Sequence, residues 1–378
     1  MDAQLASPGQ ESRLERLVRF VGMDEGNLAL LADAAFAAFD ERDLETAGRM
    51  LELHSARAPL PPALVNLSGL VALEQGRLDE AAAAFEALLG QDGSDAQVRL
   101  NLAWTKSLQG DHESALALLD EGTLALGPKA AALRVRTLHH LGLPEQALEE
   151  GGRLAELRGA DEDLCGALAI VALDAEDMEA ARLYAQRSSA TPEGQSALGL
   201  LQLSEDRIDD ALESFDRALE TRSRSPRALL GKGLALLAKG EAGGARVHLD
   251  RAAELFGDHL GSWVAAGWAH FVAGDAAVGR ARFEKALAID DSFAETHGAL
   301  GVLDIEDGLL DSAKRRTETA FRLDRNCFSA ALARSMLAER AGDAAGAARI
   351  RDSALNAPAG PGGKTIAQAL AALGLGRR

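Results

Sequence analysis

One small residue recurs along this chain at an almost constant interval. Ala47, Ala81, Ala115, Ala147, Ala181, Ala211, Ala245, Gly279, Ala313 and Ala347 stand 34 residues apart in seven of nine steps; the third step is two residues short and the fifth four short. A period this long and this regular leaves little room for a single globular core. It requires one supersecondary unit, repeated, with each unit burying its apolar face against its neighbours.

The stretch from Leu260 to Phe293 shows the unit most clearly. Its apolar spacing predicts two short helices, roughly Ser262 to Val272 and Val278 to Ile289, joined at Gly274 and Asp275. Gly would close the first helix and Asp would cap the second. Small residues (Gly267, Gly279, Ala286) alternate with large ones (Trp263, His270, Phe283), so two helices can approach closely and interlock. Each further unit carries a breaker at the same place, as in Gln75-Gly76-Arg77-Leu78-Asp79, Gln109-Gly110-Asp111, Lys239-Gly240-Glu241, Asp307-Gly308-Leu309 and Ala341-Gly342-Asp343.

The pattern has five elements: a large residue early in the first helix (Trp263), Gly four residues on (Gly69, Gly199, Gly233, Gly267, Gly301), the recurring Ala, a large residue four later (Phe85, Phe215, Leu249, Phe283), and Ala three after that (Ala218, Ala252, Ala286, Ala320, Ala354). In these residues the chain resembles the tetratricopeptide repeat family, from about Leu28 to Ala359. The resemblance implies an all-α, right-handed superhelical solenoid of antiparallel helix pairs. It is specific for fold and nearly silent on function.

Composition narrows the partners. Hydrophobic residues make up 47% of the chain, enough for a continuous core, and the net charge is −18. That charge opposes binding to nucleic acid or to an anionic membrane. No stretch has the length of an uncharged membrane span, and the N-terminus has no basic region followed by an apolar run, so a cytoplasmic protein is expected. Ala, Gly and Arg richness resembles that of GC-rich bacteria. Cys165 and Cys327 lie in separate repeats and offer neither a disulfide framework nor metal-ligand spacing. They read as small buried packing residues.

The expected organisation is a disordered segment (1–10), an N-terminal capping helix (11–27, with Leu14, Leu17, Val18 and Val21 on one face), ten helix pairs (28–359), and a linker with a final capping helix (360–378). Two irregularities interrupt the repeat: Leu143-Pro144 with Gly151-Gly152 in the fourth unit, and Ser188 to Glu193 between the fifth and sixth. At the latter, Thr191 would cap a helix whose first residue is Pro192. A change of superhelical pitch is expected near 140–195.

No catalytic constellation is visible, and no enzyme, cofactor or metal is expected. Pro358 to Thr365 approaches a phosphate-binding loop, but Pro358 replaces the first Gly and no strand precedes it. His139 and His140 are adjacent on a helix and diverge by about 100°.

By resemblance, the first helix of each pair lines the inner surface, where its positions 2, 5, 9, 12 and 13 meet partners. Positions 9 and 12 read, pair by pair, Phe36 and Phe39, Leu70 and Leu73, Trp104 and Ser107, Arg136 and His139, Ile170 and Leu173. They continue as Leu200 and Leu203, Leu234 and Leu237, Trp268 and Phe271, Val302 and Ile305, Met336 and Glu339. Sixteen of these twenty are apolar, where the overall composition gives about nine. Two readings compete. The stripe could be core, buried between successive first helices, or it could be an apolar groove too large for a monomer to leave wet, which would take an amphipathic or extended segment.

The groove reading is the one adopted, with Trp104, Trp268 and Phe271 as the chief anchors and Phe36, Phe39, Leu70, Leu73, Leu203, Leu234, Leu237 and Ile305 beside them. In the fourth unit Lys129, Arg136, His139 and His140 form a basic notch. It partly resembles the carboxylate clamp of chaperone-binding relatives, with Asn101 one repeat earlier. Asp163 and Asp174 are candidates to neutralise Arg136 within the chain. The function expected is a non-catalytic interaction scaffold or chaperone-like adaptor for a protein or peptide partner. The alternatives are a peptide-sensing regulator, or a self-associating scaffold (a homo-oligomer) in which one copy's terminal segment fills another's groove.

Overall fold

The computed structural model describes residues 12–158 and 161–356. The segments expected at 1–10 and 360–378, and the loop-like Pro358 to Thr365, lie outside the described residues. Twenty-two α-helices and no strand occur among the described residues. The chain divides into two compact units, residues 1–160 and 161–378.

Unit 1 begins with α1 (Arg13–Met23) and continues as the pairs α2 (Leu28–Asp40) with α3 (Leu44–Ser55), and α4 (Pro62–Glu74) with α5 (Leu78–Leu89). Next come α6 (Ala96–Leu108), α7 (His112–Leu118) and the one-turn α8 (Glu121–Leu124), then α9 (Pro128–His140) with α10 (Pro144–Arg158). Helix α1 is set by a reciprocal capping box, in which Ser12 Oγ accepts the Glu15 N–H and Glu15 accepts the Ser12 N–H. It buries Leu14 and Val21 against Leu31, Ala34 and Ala38 of the first pair.

The second helix of the third pair is broken. Helix α7 stops at Leu118, and Asp120 caps α8 through the Thr123 N–H. The carbonyls freed there are taken up by side chains: Arg134 Nη1 donates to Leu119 O (2.9 Å) and Thr123 Oγ1 to Leu118 O (2.9 Å). This break precedes the 140–195 stretch. Within that stretch α10 runs unbroken through Gly151 and Gly152.

Unit 2 consists of α11 (Glu162–Asp174), α12 (Met178–Arg187), α13 (Pro192–Ser204), α14 (Ile208–Thr221), α15 (Pro226–Ala238) and α16 (Ala242–Phe256). It ends with α17 (Leu260–Val272), α18 (Ala276–Ile289), α19 (Ala294–Glu306), α20 (Leu310–Leu323), α21 (Phe328–Arg340) and α22 (Ala344–Leu355). Thr191 caps α13 through the Gly194 N–H, with Pro192 as the first helical residue.

Two local devices recur among the pairs. The first is the turn. At Gly274 (φ +90°) the Gly274 N–H bonds to Phe271 O and the Asp275 N–H to His270 O, a left-handed close that satisfies the last carbonyls of α17. Asp275 occupies the cap position of α18 but makes no side-chain cap bond; its carboxylate engages Arg246 instead. The second device is the interlock. A Cβ added at Gly267 would lie 2.3 Å from the Phe283 ring, and one at Gly69 2.6 Å from Phe85. Phe85, Phe215 and Phe283 are fully buried because glycine on the facing helix leaves room for each ring.

Candidate partner-binding stripe

In unit 1 the stripe is a row on α2, α4 and α6. Phe36 and Trp104, at the same position of the first and third pairs, are 40% and 39% exposed. Leu70 stands between them in register and is half-buried, as are Phe39 and Leu73. Phe39 rests on the core of the first pair, and Leu70 and Leu73 on that around Phe85. One turn earlier on α4 and α6, Asn101 Nδ2 donates to Asn66 Oδ1 (3.4 Å) and Gln97 Nε2 to Asn101 Oδ1 (3.1 Å). The result is two exposed aromatics over a half-buried aliphatic floor, edged by amides.

The basic notch sits on α9. Arg136 and His139 are half-buried, and Lys129 and His140 are exposed. His140 stacks face to face on His112 of α7, with centroids 4.6 Å apart and planes 5° from parallel, and its ring lies 6.0 Å from that of His139, tilted by 39°. Rings stacked this way do not direct their nitrogens at a common ion. No group of three or more His, Cys, Asp or Glu among the described residues could hold a metal.

In unit 2, Leu203, Leu234, Leu237, Trp268 and Phe271 are half-buried. Trp268 meets Phe271 edge to face (5.7 Å) and Phe283 likewise (5.4 Å), which ties the expected anchors to the repeat core. Ile305 corrects the expectation: it is fully buried, packed with Val302 beneath Trp268, Phe271 and Met336. It supports the stripe from below and presents no surface to a partner. On α11, Asp174 accepts both Nη groups of Arg227 (3.0 and 2.8 Å).

Sequence reasoning missed the buried polar centres of unit 2. Asp304, 2% exposed, receives Arg280 (2.9 Å), Arg316 (3.1 Å) and the Ser312 hydroxyl (2.7 Å). Asp250 holds Arg282 Nε (2.7 Å) and His270 Nε2 (2.8 Å). Burial alone would raise the Asp250 pKa, but these two partners hold it below the usual carboxylate range. The only advance signal was a polar residue at position 11 of a first helix, where most repeats carry an apolar one.

Burial pushes the Cys327 thiol up to about 12 and raises that of Cys165, so neither is a reactive thiolate. No helix among the described residues is long and apolar enough to cross a membrane.

Two stretches match family models described as tetratricopeptide repeat, residues 72–138 and 196–259. No curated protein matches the chain. Among solved structures, the human IFIT1 dimer with m7Gppp-AAAA is 14% identical, with a TM-score of 0.53 over 92% of this chain and 94% of that one. The APC/C hetero-tetramer Cut9-Hcn1 is 13% identical, with a TM-score of 0.50 over 90% and 82%. These likenesses concern the fold, a solenoid of helix pairs. Family models match one stretch in each unit, and the same glycine-closed turn and glycine-to-large-residue interlock recur in pairs around them; the chain contains tetratricopeptide repeats, at residues 72–138 and 196–259.

Proposed function

We propose that this interaction scaffold works through the stripe of unit 1, seating an apolar or amphipathic segment of a partner protein across α2, α4 and α6. The observation that carries the reading is the pair Phe36 and Trp104, large aromatics left 40% and 39% exposed at equivalent positions with Leu70 between them. Side chains of this kind gain most from a partner, since aromatic residues dominate binding hot spots. The work is binding without chemistry: the partner's apolar side chains bury on the stripe, the amides of Asn66 and Asn101 meet its polar groups, and the exposed Lys129 favours an acidic residue at one end. The half-buried leucines of unit 2 extend the same chemistry, with less free surface around Trp268.

The IFIT1 dimer structure holds m7Gppp-AAAA, but a net charge of −18 repels a polyphosphate backbone, which favours a protein ligand here. The test is site-specific photocrosslinking. A benzophenone amino acid at Trp104 should give a discrete protein adduct, and the same probe at Val247, 62% exposed on α16, should not. Equal labelling at both positions, or RNA adducts at Trp104, would overturn the reading.

A further inference from the structure

The end of unit 2 reverses the charge of the chain. Residues 314–356 carry nine Lys or Arg against five Asp or Glu, in a protein of net charge −18. Elsewhere in unit 2, Arg207, Arg227, Arg280 and Arg282 are each held by a carboxylate. Arg325, Arg334 and Arg349 are exposed and have no carboxylate within ion-pair distance among the described residues.

All three line one cavity of about 550 Å³, formed by the end of α20, the first half of α21 and α22. Phe321, Phe328 and Ile350, each half-buried, give it an apolar wall, and the Arg334 guanidinium lies over the Phe321 ring at 5.6 Å. The room exists because α22 opens with Ala344, Ala345, Gly346, Ala347 and Ala348, which project nothing into it.

Two carboxylates near the cavity are already engaged. Asp343, on its lining, caps α22 through the Gly346 N–H (2.7 Å), and Glu295 takes the Phe328 and Ser329 N–H groups at the start of α21. The three guanidiniums are the donors left over. Arg334 lies two residues from Met336 of the stripe and so about 200° round the helix, which makes this a different surface from the one assigned to the partner above.

We propose that this cavity is a second binding site, for an acidic peptide segment of a partner protein that carries a large apolar side chain beside its Asp or Glu residues. Guanidinium forks match carboxylates in two-point geometry, and the wall of Phe321, Phe328 and Ile350 receives the apolar side chain. A phosphate suits the site less, because it has no apolar group to place against the wall of Phe321, Phe328 and Ile350. Residues 357–378 suit it less again: they contain Lys364, Arg377 and Arg378 and no Asp or Glu.

The test uses the full chain and a fluorescein-labelled peptide, Glu-Asp-Phe-Glu-Asp-Leu, beside its amide counterpart Gln-Asn-Phe-Gln-Asn-Leu, read by anisotropy. The acidic peptide should bind at least about tenfold tighter than the amide form, and weaken as salt rises from about 50 to about 300 mM. Arg325→Glu with Arg349→Glu should cost at least about tenfold, and Phe36→Glu with Trp104→Glu should leave this binding unchanged, so that failure here is separable from failure of the stripe. Should the charge-reversed protein lose helicity, Arg325→Gln with Arg349→Gln serves in its place.

Equal binding of the two peptides, or indifference to both arginine variants, overturns the proposal. So does displacement of the peptide by inorganic phosphate or an RNA oligonucleotide at matched concentration. A wild-type dimer in sedimentation velocity that the arginine variant lacks, with no peptide binding, would assign the cavity to a second copy of this chain instead.

Discussion

Replacing Gly231 by Ala should destabilise unit 2, although the same change in most helices does the opposite. Gly231 lies inside α15, where alanine is favoured over glycine by about 1 kcal/mol. Here, however, the new Cβ would sit 2.3 Å from two ring carbons of Phe215, well inside contact distance. The ring has little room to retreat. It is fully buried, and a Cβ at Gly199 on its other flank would already lie 2.6 Å away. Overpacking of this kind costs about 1–3 kcal/mol, and a gap more than an ångström too short belongs at the upper end. After the propensity gain, the net loss is about 2 kcal/mol.

Gly48, inside α3, has nothing within 4 Å of the added atom, so Gly48→Ala should stabilise by about 0.5–1 kcal/mol. Urea unfolding reads both, through Trp104 for unit 1 and Trp263 with Trp268 for unit 2. Trimming the ring, as Phe215→Leu, should rescue Gly231→Ala with a coupling of about 1 kcal/mol or more. A neutral or stabilising Gly231→Ala, or a Gly48→Ala that costs as much, would refute the interlock as the basis of pairing.

Three further outcomes follow from the buried groups. Asp304→Ala leaves Arg280 and Arg316 facing each other without their shared carboxylate, and should cost about 3–5 kcal/mol in chemical denaturation. Asp250 has a folded pKa below its unfolded value, so its stabilisation is complete above the unfolded pKa near 4 and is lost as pH falls through the lower folded value. Asp250→Asn should therefore flatten the acid limb of stability against pH below about 4. Cys165 and Cys327, buried and with raised pKa values, should resist a thiol reagent at pH 8 in native protein and react only at the rate of unfolding.

The repeat was legible because its determinants are local. A positive-φ turn needs Gly274, and an interlock needs a small residue four along from Trp263 with a large one sixteen beyond it, so sequence spacing alone carries them. Non-glycine turns at Arg42, Glu176 and Asp206 escape that signal, yet adopt the same φ of 64°. The break at Leu119 was present in the sequence as the two-residue shortfall between Ala115 and Ala147, but Gly151-Gly152 drew attention downstream. Those glycines stay helical inside α10.

The stripe was harder to judge. Whether a helix residue faces water or its neighbour turns on a few tens of degrees of rotation, which spacing does not encode. Hence Phe36 and Ile305, alike in the pattern, end at 40% and 0% exposure. Arg325, Arg334 and Arg349 share no period at all; only the fold gathers them.

The central claim is that Phe36 and Trp104 form the partner surface. It is tested most directly by quantitative mass spectrometry of native pull-downs, with wild type beside the double variant Phe36→Glu, Trp104→Glu and a control of matched charge, Leu183→Glu with Val247→Glu, both exposed and off the stripe. The account predicts a protein retained by wild type and control and depleted about thirtyfold or more by the double variant, as loss of a hot spot worth about 2 kcal/mol or more requires, with helicity unchanged. Identical partner profiles from all three proteins would contradict it, and unfolding of the double variant alone would show that the stripe is core.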